Sequence, residues 1–589
     1  MMKKQSLAFA ASAIALSIAL IFSVRFLNPP LRSDIEQPAF KSTPHIGTWT
    51  ARHPGPPPVP TGDEAIGDPG SSKPVFVDIA AKSGLKYRWT IEGLRPLDIL
   101  QTIGNGCAFL DFDNDGNLDI LLIGPKLALY KGDGHGNFTD VTHATGLDKL
   151  SGHFLGCAVG DYDNDGFDDI YLSGFRTGVL LHNEHGRSFR DVTKAALLPV
   201  QPWGSACAWG DVDGDGRLDL YVGNYVQYDP GKSQRLCSSA GLMRSCGPGV
   251  YPPSLGMLFH NDGNGVFRNV TAQWQAAGFG KCLGAAFADY DGSGRQSLGL
   301  ANDEMVGNLL QNHGAGFSDM GKASGFGFMP GANIHAGMGI DWGDYDNDGH
   351  LDATVMAFSS QAKSIYRNMN NGTFEDLSTT VLLAEPTKPN VAFGCKWLDY
   401  DNDGWLDLMI ANGHVYDNAG KGENTEKFLQ ATQLFHNDHG RLFVDMSTKS
   451  GPDLQRPILG RGLATGDFDN DGRVDALVVD SEGAPLLLHN ESAPVGHYLM
   501  VGLIGTKSNR DGYGAILTAT AGGLTQTRLC HADGSYFSSS DKRVHIGLGG
   551  ATVVDKLSIR WPSGHVDTLF HVAADRRITV QEGSAKPVE

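Results

Sequence analysis

The fold of this chain is decided by a repeated acidic loop, which first occurs as Asp111-Phe112-Asp113-Asn114-Asp115-Gly116-Asn117-Leu118-Asp119. The form D-x-D-x-D-G-x-x-D returns in further complete copies that begin at Asp161, Asp211, Asp344, Asp399 and Asp467. Another copy begins at Asp289 and has Ser293 and Ser297 in place of two carboxylates. A loop that returns at regular intervals predicts a repeat architecture.

Each complete loop has the composition of a calcium site. Calcium takes roughly six to eight oxygen ligands, which carboxylates at positions 1, 3, 5 and 9 and a backbone carbonyl at position 7 can supply. Glycine at position 6 permits the sharp turn that brings these oxygens together. The predicted ligands are Asp111, Asp113, Asp115, Asn117, Asp119, Asp161, Asp163, Asp165, Phe167, Asp169, Asp211, Asp213, Asp215, Arg217, Asp219, Asp344, Asp346, Asp348, His350, Asp352, Asp399, Asp401, Asp403, Trp405, Asp407, Asp467, Asp469, Asp471, Arg473 and Asp475.

The loops differ from an EF-hand, which has a bidentate Glu at position 12 between two helices. Position 12 is apolar here, and the flanking segments have the composition of strands. The alternative is that acidic, glycine-rich turns simply join strands without a metal. Four carboxylates within one short loop would then repel one another, which favours about six structural calcium ions. The incomplete loop, with Asp289 and Asp291, is expected not to bind metal.

The spacing of the loops predicts the architecture. Successive loops start 50, 50, 78, 55, 55 and 68 residues apart, and a period near 50 with short strands is typical of β-propeller blades. An outer-strand signature, such as Phe138-Thr139-Asp140, precedes each following loop, and one copy, Phe76-Val77-Asp78, stands before the first loop. The N-terminal strand is therefore expected to complete the last blade, which removes free sheet edges. We predict a seven-bladed propeller over residues 75–495.

A different pattern begins after the propeller. Alternating apolar and polar runs separated by turn residues extend over residues 496–584, followed by a tail at 585–589. This length suits a small β-sandwich-like domain. The complete prediction is an all-β chain, with a seven-bladed propeller followed by this second domain.

Two sets of motifs resemble known families. The D-x-D-x-D-G-x-x-D loops resemble FG-GAP/VCBS repeats, which build integrin-α-like propellers. The C-terminal segments, among them Gly505-Thr506-Lys507-Ser508-Asn509 and Ile559-Arg560-Trp561-Pro562, are similar to the ASPIC/UnbV domain. Together they resemble the cartilage acidic protein family and its bacterial relatives. That resemblance implies extracellular calcium-bound propellers that act in adhesion or interaction, without an established catalytic mechanism.

The N-terminus and the charge bear on location. Lys3 and Lys4 precede an apolar run over residues 7–24, so residues 1–24 are predicted to be a signal peptide or a signal anchor. Residues 25–74 are rich in Pro and Gly and are predicted to be a linker. The chain is expected to be exported and to be periplasmic, secreted or held at the cell surface. The net charge of -19 argues against nucleic acid, and six calcium ions would bring it to about -7.

The cysteines fall into two groups. Cys107, Cys157, Cys207 and Cys395 each lie four residues before a loop and are predicted to be small buried strand residues rather than disulfide partners. Cys237 and Cys246 flank an insertion and are predicted to form a disulfide, which an oxidising compartment permits.

A ligand face is predicted opposite the calcium loops. The residues that begin or end strands at the far mouth of the channel are His153, Trp203, His335, Asp303, Asn412 and His414. The competing interpretation is that these are hydrogen-bonded loop residues.

Motifs for a serine nucleophile, a zinc protease or a phosphate loop are absent from the sequence. The main hypothesis is therefore a non-enzymatic binding or adhesion module for an extracellular protein or glycan. The alternatives are a lyase-like enzyme acting on polysaccharide and a lectin that stacks sugars on Trp203 and Tyr225.

Overall fold

The computed structural model describes residues 75–239, 241–314, 316–421, 426–493, 495–584 and 586–587. The predicted export segment, residues 1–24, and the linker, residues 25–74, lie outside the described residues. Strands dominate, and the helices of the described part are α1 (Ile99–Thr102), α2 (Thr142–Thr145) and α3 (Ala384–Thr387). Single 3-10 turns occur at Leu147–Lys149, Pro248–Val250 and Pro330–Ala332. None of the helices in the described part is long and apolar enough to cross a membrane.

The first part of the chain forms four-stranded antiparallel sheets, which we call blades 1 to 7 in chain order. β1 (Phe76–Asp78) comes first in the chain. Blades 1 and 2 contain β2 (Cys107–Leu110), β3 (Asp119–Leu122), β4 (Ala128–Gly132), β5 (Phe138–Asp140), β6 (His153–Gly160), β7 (Asp169–Phe175), β8 (Thr177–Asn183) and β9 (Phe189–Asp191). Blade 3 and the insertions within it contain β10 (Gly204–Gly210), β11 (Asp219–Asn224), β12 (Leu236–Ser239), β13 (Leu242–Ser245), β14 (Ser254–Leu255), β15 (Met257–Asn261) and β16 (Phe267–Asn269).

The remaining blades repeat the same order. β17 (Phe279–Gly280) pairs with β14, and β12 pairs with β13, outside the main sheets. Blades 4 and 5 contain β18 (Cys282–Ala288), β19 (Ser297–Asn302), β20 (Asn308–Asn312), β21 (Phe317–Asp319), β22 (Ile340–Gly343), β23 (Asp352–Val355), β24 (Ser364–Asn368) and β25 (Phe374–Asp376). Blades 6 and 7 contain β26 (Ala392–Leu398), β27 (Asp407–Asn412), β28 (Gln433–Asn437), β29 (Phe443–Asp445), β30 (Gly460–Gly466), β31 (Asp475–Asp480) and β32 (Leu486–Asn490).

The blades form a closed ring. The innermost strands contact one another in the order β2, β6, β10, β18, β22, β26, β30 and back to β2. β1 pairs with β32, with Phe76 opposite Asn490 and Asp78 opposite Leu488, so the N-terminal strand completes the last sheet. The prediction of an all-β propeller is confirmed, and the loops with the acidic motif join the first and second strands of each blade.

The inner strands carry small residues because they approach other backbone closely. β10 reads Gly-Ser-Ala-Cys-Ala-Trp-Gly and is buried along its whole length. A Cβ atom on Gly106 would lie 1.8 Å from the carbonyl oxygen of Phe537, so only glycine fits at this position. Cys107, Cys157, Cys207 and Cys395 are buried free thiols on these strands, as predicted.

The C-terminal domain consists of two sheets. The strands are β33 (His497–Ile504), β34 (Ile516–Ala521), β35 (Leu524–Leu529), β36 (Val544–Gly549), β37 (Val553–Arg560), β38 (Val566–Ala573) and β39 (Arg576–Gln581). One sheet has the order β36-β33-β39 and the other β35-β34-β37-β38, which agrees with the predicted sandwich-like domain.

This domain lies on the acidic loops and inserts residues 530–542, which we call the plug, into the propeller channel. The Phe109 amide donates to the Ser539 carbonyl at 3.1 Å, and the Cys157 amide donates to the Phe537 carbonyl at 3.1 Å. The Tyr536 hydroxyl donates to the Ile103 carbonyl at 2.9 Å, deep in the channel. The sequence predicts a separate domain, and the insertion of the plug into the channel is seen in the structure alone.

Apolar and charged contacts join the two parts. Tyr162 and Trp209 of the propeller share one core with Tyr513 and Trp561 of the C-terminal domain. A buried ion pair lies at the base of the plug, where Lys396 Nζ is 2.8 Å from Asp341 Oδ1 and also donates to the Asp533 carbonyl at 3.3 Å. The propeller and the C-terminal domain therefore form one continuously packed body.

Candidate metal loops and the channel mouth

Backbone hydrogen bonds orient the carboxylates of each acidic loop. In the first loop, Asp111 Oδ1 accepts from the Asp115 amide at 3.1 Å, and Asp111 Oδ2 accepts from the Gly116 amide at 2.9 Å. Asp115 Oδ1 in turn accepts from the amide of Asn117 at 2.9 Å. The same bond from the position 7 amide to the position 5 carboxylate forms in the other complete loops, at Phe167, Arg217, His350, Trp405 and Arg473.

The carboxylate at position 9 closes each loop onto its strands. Asp119 is fully buried, and its two oxygens accept from the amides of Phe112 and Gly132, each at 2.9 Å. Burial raises the pKa of Asp119 to about 8. Burial likewise raises the pKa of two position 1 carboxylates, that of Asp211 to about 7 and that of Asp161 to about 8. The charge of the nearby Asp511 adds to the rise at Asp161. Buried carboxylates of this kind are stabilised in their ionised form by a cation.

In three of the complete loops the position 3 carboxylate has an oxygen without a protein partner. The Oδ1 atoms of Asp113, Asp401 and Asp469 are buried and have no hydrogen-bond partner. Asp111, Asp113 and Asp115 each offer a carboxylate oxygen, and these oxygens lie within 4.8 Å of one another. A set of converging carboxylate oxygens, of which Asp113 Oδ1 has no hydrogen-bond partner, fits a hard divalent cation such as calcium. The complete loops therefore have a donor set suited to that ion.

A polar side chain from the third strand of each blade contacts the position 3 carboxylate. His260 Nε2 lies 2.9 Å from Asp213 Oδ2, and Arg367 Nε lies 2.5 Å from Asp346 Oδ2. The residues at this equivalent position are Lys131, His182, His260, Gln311, Arg367, His436 and His489. Sequence reasoning missed them because the residue type changes between blades, although an Asn follows in six of the seven cases.

That Asn connects neighbouring blades. Asn437 is fully buried and donates through Nδ2 to the Tyr345 carbonyl of the preceding loop at 2.8 Å and to the Leu406 carbonyl of its own loop at 2.9 Å. Equivalent bonds are made by Asn183, Asn261, Asn312, Asn368 and Asn490. The position and shape of each acidic loop are therefore tied to the next blade.

A second set of links joins the acidic loops directly. The Asn at position 4 of one loop donates to the Gly carbonyl at position 6 of the next, as for Asn164 to Gly216 at 2.9 Å and Asn402 to Gly472 at 3.0 Å. Asn114 and Asn347 make the same bond. The third and fourth loops have Gly214 and Gly292 at position 4, so these two loops lack the side chain that makes this bond.

Protein groups contact both acids of the incomplete loop, although Asp289 Oδ1 is buried without a hydrogen-bond partner. Asp289 Oδ2 lies 2.7 Å from Arg560 Nη2 of the C-terminal domain, and Asp291 Oδ2 accepts from Gln311 at 2.8 Å. Ser297 at position 9 keeps one backbone contact, since its hydroxyl oxygen accepts from the Asn312 amide at 3.0 Å. A guanidinium therefore provides a positive charge in the loop that has lost two carboxylates.

The disulfide predicted between Cys237 and Cys246 is present, with its sulfur atoms 2.08 Å apart. It ties the hairpin of β12 and β13 to residues 246–248, which lie over the channel mouth that faces away from the acidic loops. Both ends of the channel are thus covered, one by the plug and the other by this hairpin together with α1.

The predicted ligand-face residues have different environments. Trp203 is fully buried and Tyr225 is 2 % exposed, so neither offers an open face to a sugar ring. His335 Nε2 contacts Ser364 and Tyr366 at 2.8 and 2.7 Å within blade 5, and burial lowers its pKa to about 3. His153 is exposed at the start of β6, against the ring of Phe175.

Two further residues of the predicted ligand face, Asn412 and His414, lie in blade 6, and a third, Asp303, borders the channel. Asn412 is buried and donates to the Ala431 carbonyl at 2.9 Å. His414 is buried between Glu426 and the Tyr416 amide, and burial lowers its pKa to about 4. Asp303 accepts from the Tyr225 hydroxyl at 2.6 Å and borders a cavity in the channel mouth.

Comparisons with known proteins agree with these two parts. Residues 111–172, 161–222, 344–410 and 399–478 match the model described as FG-GAP-like repeat, and residues 505–587 match the model described as ASPIC and UnbV. Cartilage acidic protein 1 of Xenopus tropicalis is 23 % identical over 319 residues, which is 51 % of this chain. The matched region spans 45 % of that relative's length.

Solved structures give weaker likenesses. A lectin of Agrocybe aegerita that recognises non-reducing terminal N-acetylglucosamine is 16 % identical, with a TM-score of 0.36, over 57 % of this chain and 77 % of the lectin. A rhamnogalacturonan lyase of Bacillus licheniformis is 13 % identical, with a TM-score of 0.33, over 65 % of this chain and 71 % of the lyase.

Proposed function

We propose that this chain, which carries FG-GAP-like repeats and an ASPIC and UnbV domain, is a calcium-stabilised binding module outside the cytoplasm. The observation that carries the proposal is the set of buried position 3 oxygens without a partner, such as Asp401 Oδ1, beside the other carboxylates of the same loop. Leaving such atoms unpaired is costly, and a bound cation removes that cost.

Calcium is proposed as a structural ion. Bound ions would neutralise the crowded carboxylates, and binding would stabilise the folded state because the sites form only in the folded ring. The C-terminal domain covers the acidic loops, which leaves the opposite face and the rim of the propeller for a partner. We propose a protein or glycan as that partner.

An extracytoplasmic location is supported by two features. The disulfide between Cys237 and Cys246 is typical of oxidising compartments. The N-terminal sequence has the charge and hydropathy of an export segment. The calcium present outside the cytoplasm would keep these acidic loops occupied.

The proposal is tested by counting bound calcium after equilibrium dialysis. The wild-type chain should bind about six ions, one for each complete loop. Asp401→Asn, which removes a position 3 carboxylate with an unpartnered oxygen, should lower the number by about one. Asp291→Asn in the incomplete loop is the matched control and should leave the number unchanged. Equal effects of the two substitutions, or no bound calcium, would contradict the proposal.

A further inference from the structure

A cavity of about 90 Å³ lies in the channel mouth that faces away from the acidic loops. The inner ends of several blades form its wall, and Ile103 borders it above the point where the Tyr536 hydroxyl of the plug is bound. Residues Ser245 to Pro248, beside the disulfide, and α1 enclose it from the other side. The plug thus ends next to the cavity without filling it.

The lining combines aromatic rings with carboxylates. Tyr225, Phe358, Phe393 and Tyr416 contribute aromatic side chains, and Asp303 and Glu304 contribute the acids. The lining residues include no Lys, Arg or His. A cavity of this composition disfavours an anion and favours a group that carries positive charge and apolar surface.

Asp303 is the buried acid of this cavity. It is 6 % exposed, and one of its oxygens accepts from the Tyr225 hydroxyl at 2.6 Å. Burial raises the pKa of Asp303 to about 7, the charge of Glu304 adds to the rise, and Lys281 opposes it. A carboxylate in such surroundings is stabilised by a cation placed beside it.

The surrounding aromatic cluster already holds two cations, and the guanidinium of Arg461 lies 3.8 Å from the ring centroid of Phe393 on the cavity wall. The guanidinium of Arg244, in the hairpin over the cavity, lies 4.9 Å from the ring centroid of Tyr416. Arg244 is 8 % exposed, and its Nε atom has no hydrogen-bond partner. Its position lies within the range of about 6 Å that is typical of a cation–π contact with the ring of Tyr416.

Glu304 provides an approach from solvent. It is exposed, adopts the left-handed backbone conformation with φ of 52°, and has its carboxylate near Gly249 in the 3-10 turn that follows the hairpin. Non-glycine residues in this conformation are concentrated at ligand sites and switch regions. An acid at the rim would attract a cation toward the buried Asp303.

We propose that this cavity binds a small organic ammonium ion, with Asp303 as its counter-ion and with the rings of Tyr225, Phe358 and Tyr416 around the charged head. The volume is about six times that needed for one water centre, which suits a compact head group rather than a sugar or a peptide. This inference names a ligand class for the face that the proposed function leaves open, but it does not depend on which ion fills the acidic loops.

The test is calorimetric titration of the calcium-loaded full chain with choline, with n-butylamine and with 3,3-dimethylbutanol, the neutral isostere of choline. At least one of the two ammonium probes should bind saturably and at least tenfold more tightly than the neutral alcohol. Asp303→Asn should weaken the ammonium probe at least tenfold, and Glu385→Gln, at an exposed acid of α3 between blades 5 and 6, should not. Phe358→Leu is a second variant that keeps the wall apolar and should weaken the ammonium probe alone.

Several results would overturn the inference. These are no saturable binding of either ammonium probe, equal binding of the neutral alcohol, or unchanged affinity in both Asp303→Asn and Phe358→Leu. Thermal unfolding in calcium checks that each variant is folded. Absence of ammonium binding by a chain that still binds about six calcium ions would remove only this inference. Loss of calcium binding would remove the proposed function instead.

Discussion

Replacing Tyr536 at the tip of the plug should strongly destabilise the protein. This side chain is fully buried, with its ring centroid 4.9 Å from that of Phe393 and 3.9 Å from that of Phe537. An aromatic side chain buries about 150–250 Å². At about 25 cal/mol per Å², this burial contributes roughly 4–6 kcal/mol. Measured aromatic-to-alanine substitutions in cores cost about 3–5 kcal/mol, so Tyr536→Ala should lower the free energy of unfolding by about 4 kcal/mol.

Two further variants separate the contributions. Tyr536→Phe keeps the ring and removes the hydroxyl that donates to the Ile103 carbonyl, and should cost about 1 kcal/mol. Phe570→Ala is the matched control, because Phe570 belongs to the same domain but is 64 % exposed, and it should cost less than about 1 kcal/mol. Urea unfolding of the calcium-loaded chain, followed by tryptophan fluorescence, measures all three. If Tyr536→Ala costs no more than Phe570→Ala, the plug does not hold the two parts together in solution.

Three other predictions concern the interior. Lys396→Met should lower the free energy of unfolding by about 3 kcal/mol, because it leaves the Asp341 carboxylate buried without its cation. Adding Asp341→Asn should restore most of that loss. Lys388→Met, which breaks an exposed ion pair, is the control and should cost under about 1 kcal/mol in the same urea assay. Asn437→Ala should cost about 2 kcal/mol, since two buried carbonyls lose their donor, and an unchanged urea midpoint would contradict this. The pKa of His335 is about 3 in the folded state, below its unfolded value of about 6.5. The contribution of neutral His335 to the free energy of unfolding is therefore complete above pH 6.5 and declines as the pH falls toward 3. The loss is roughly 2 kcal/mol at pH 5. The stability of His335→Gln should therefore vary less between pH 8 and pH 5 than that of the wild type, as measured by urea unfolding at each pH.

Much of the ring could be predicted from the sequence because its features are local and repeated. The acidic loops recur in one frame, and the displaced copy at Phe76 reveals that the N-terminal strand closes the last blade. The disulfide was predictable because Cys237 and Cys246 are close in sequence and differ in context from the strand cysteines. In each case the sequence of a short segment is enough to predict the local structure.

The plug could not be predicted because its contacts have no local signal. The Tyr536 hydroxyl meets a carbonyl that lies 433 residues away in the chain, and the plug itself has the composition of an ordinary turn. The third-strand contacts to position 3 were missed for a different reason. Lys131, His260 and Arg367 occupy equivalent positions, but what they share is a side-chain nitrogen placed beside the position 3 carboxylate rather than a residue type.

The ligand face was predicted only in part. The strand ends do meet at the channel mouth, but most of the predicted polar residues are used in hydrogen bonds within their own blades, as for His335. Asp303 is the residue of that set that both lines the cavity and is deeply buried. Which strand ends point inward depends on the packing of the hairpin and α1 over the mouth, and these contacts are not encoded in the repeat.

The most direct test of the account is thermal unfolding of the purified chain in saturating calcium, in excess EGTA and in EGTA with magnesium. Each occupied site should add about 2.7 kcal/mol when free calcium is 100 times its dissociation constant. Six sites acting together therefore predict a large fall of the Tm in EGTA that magnesium does not reverse, because magnesium demands a tighter octahedral geometry. An unchanged Tm in EGTA would contradict the account, and the acidic loops would then have to serve as a surface for a cationic partner.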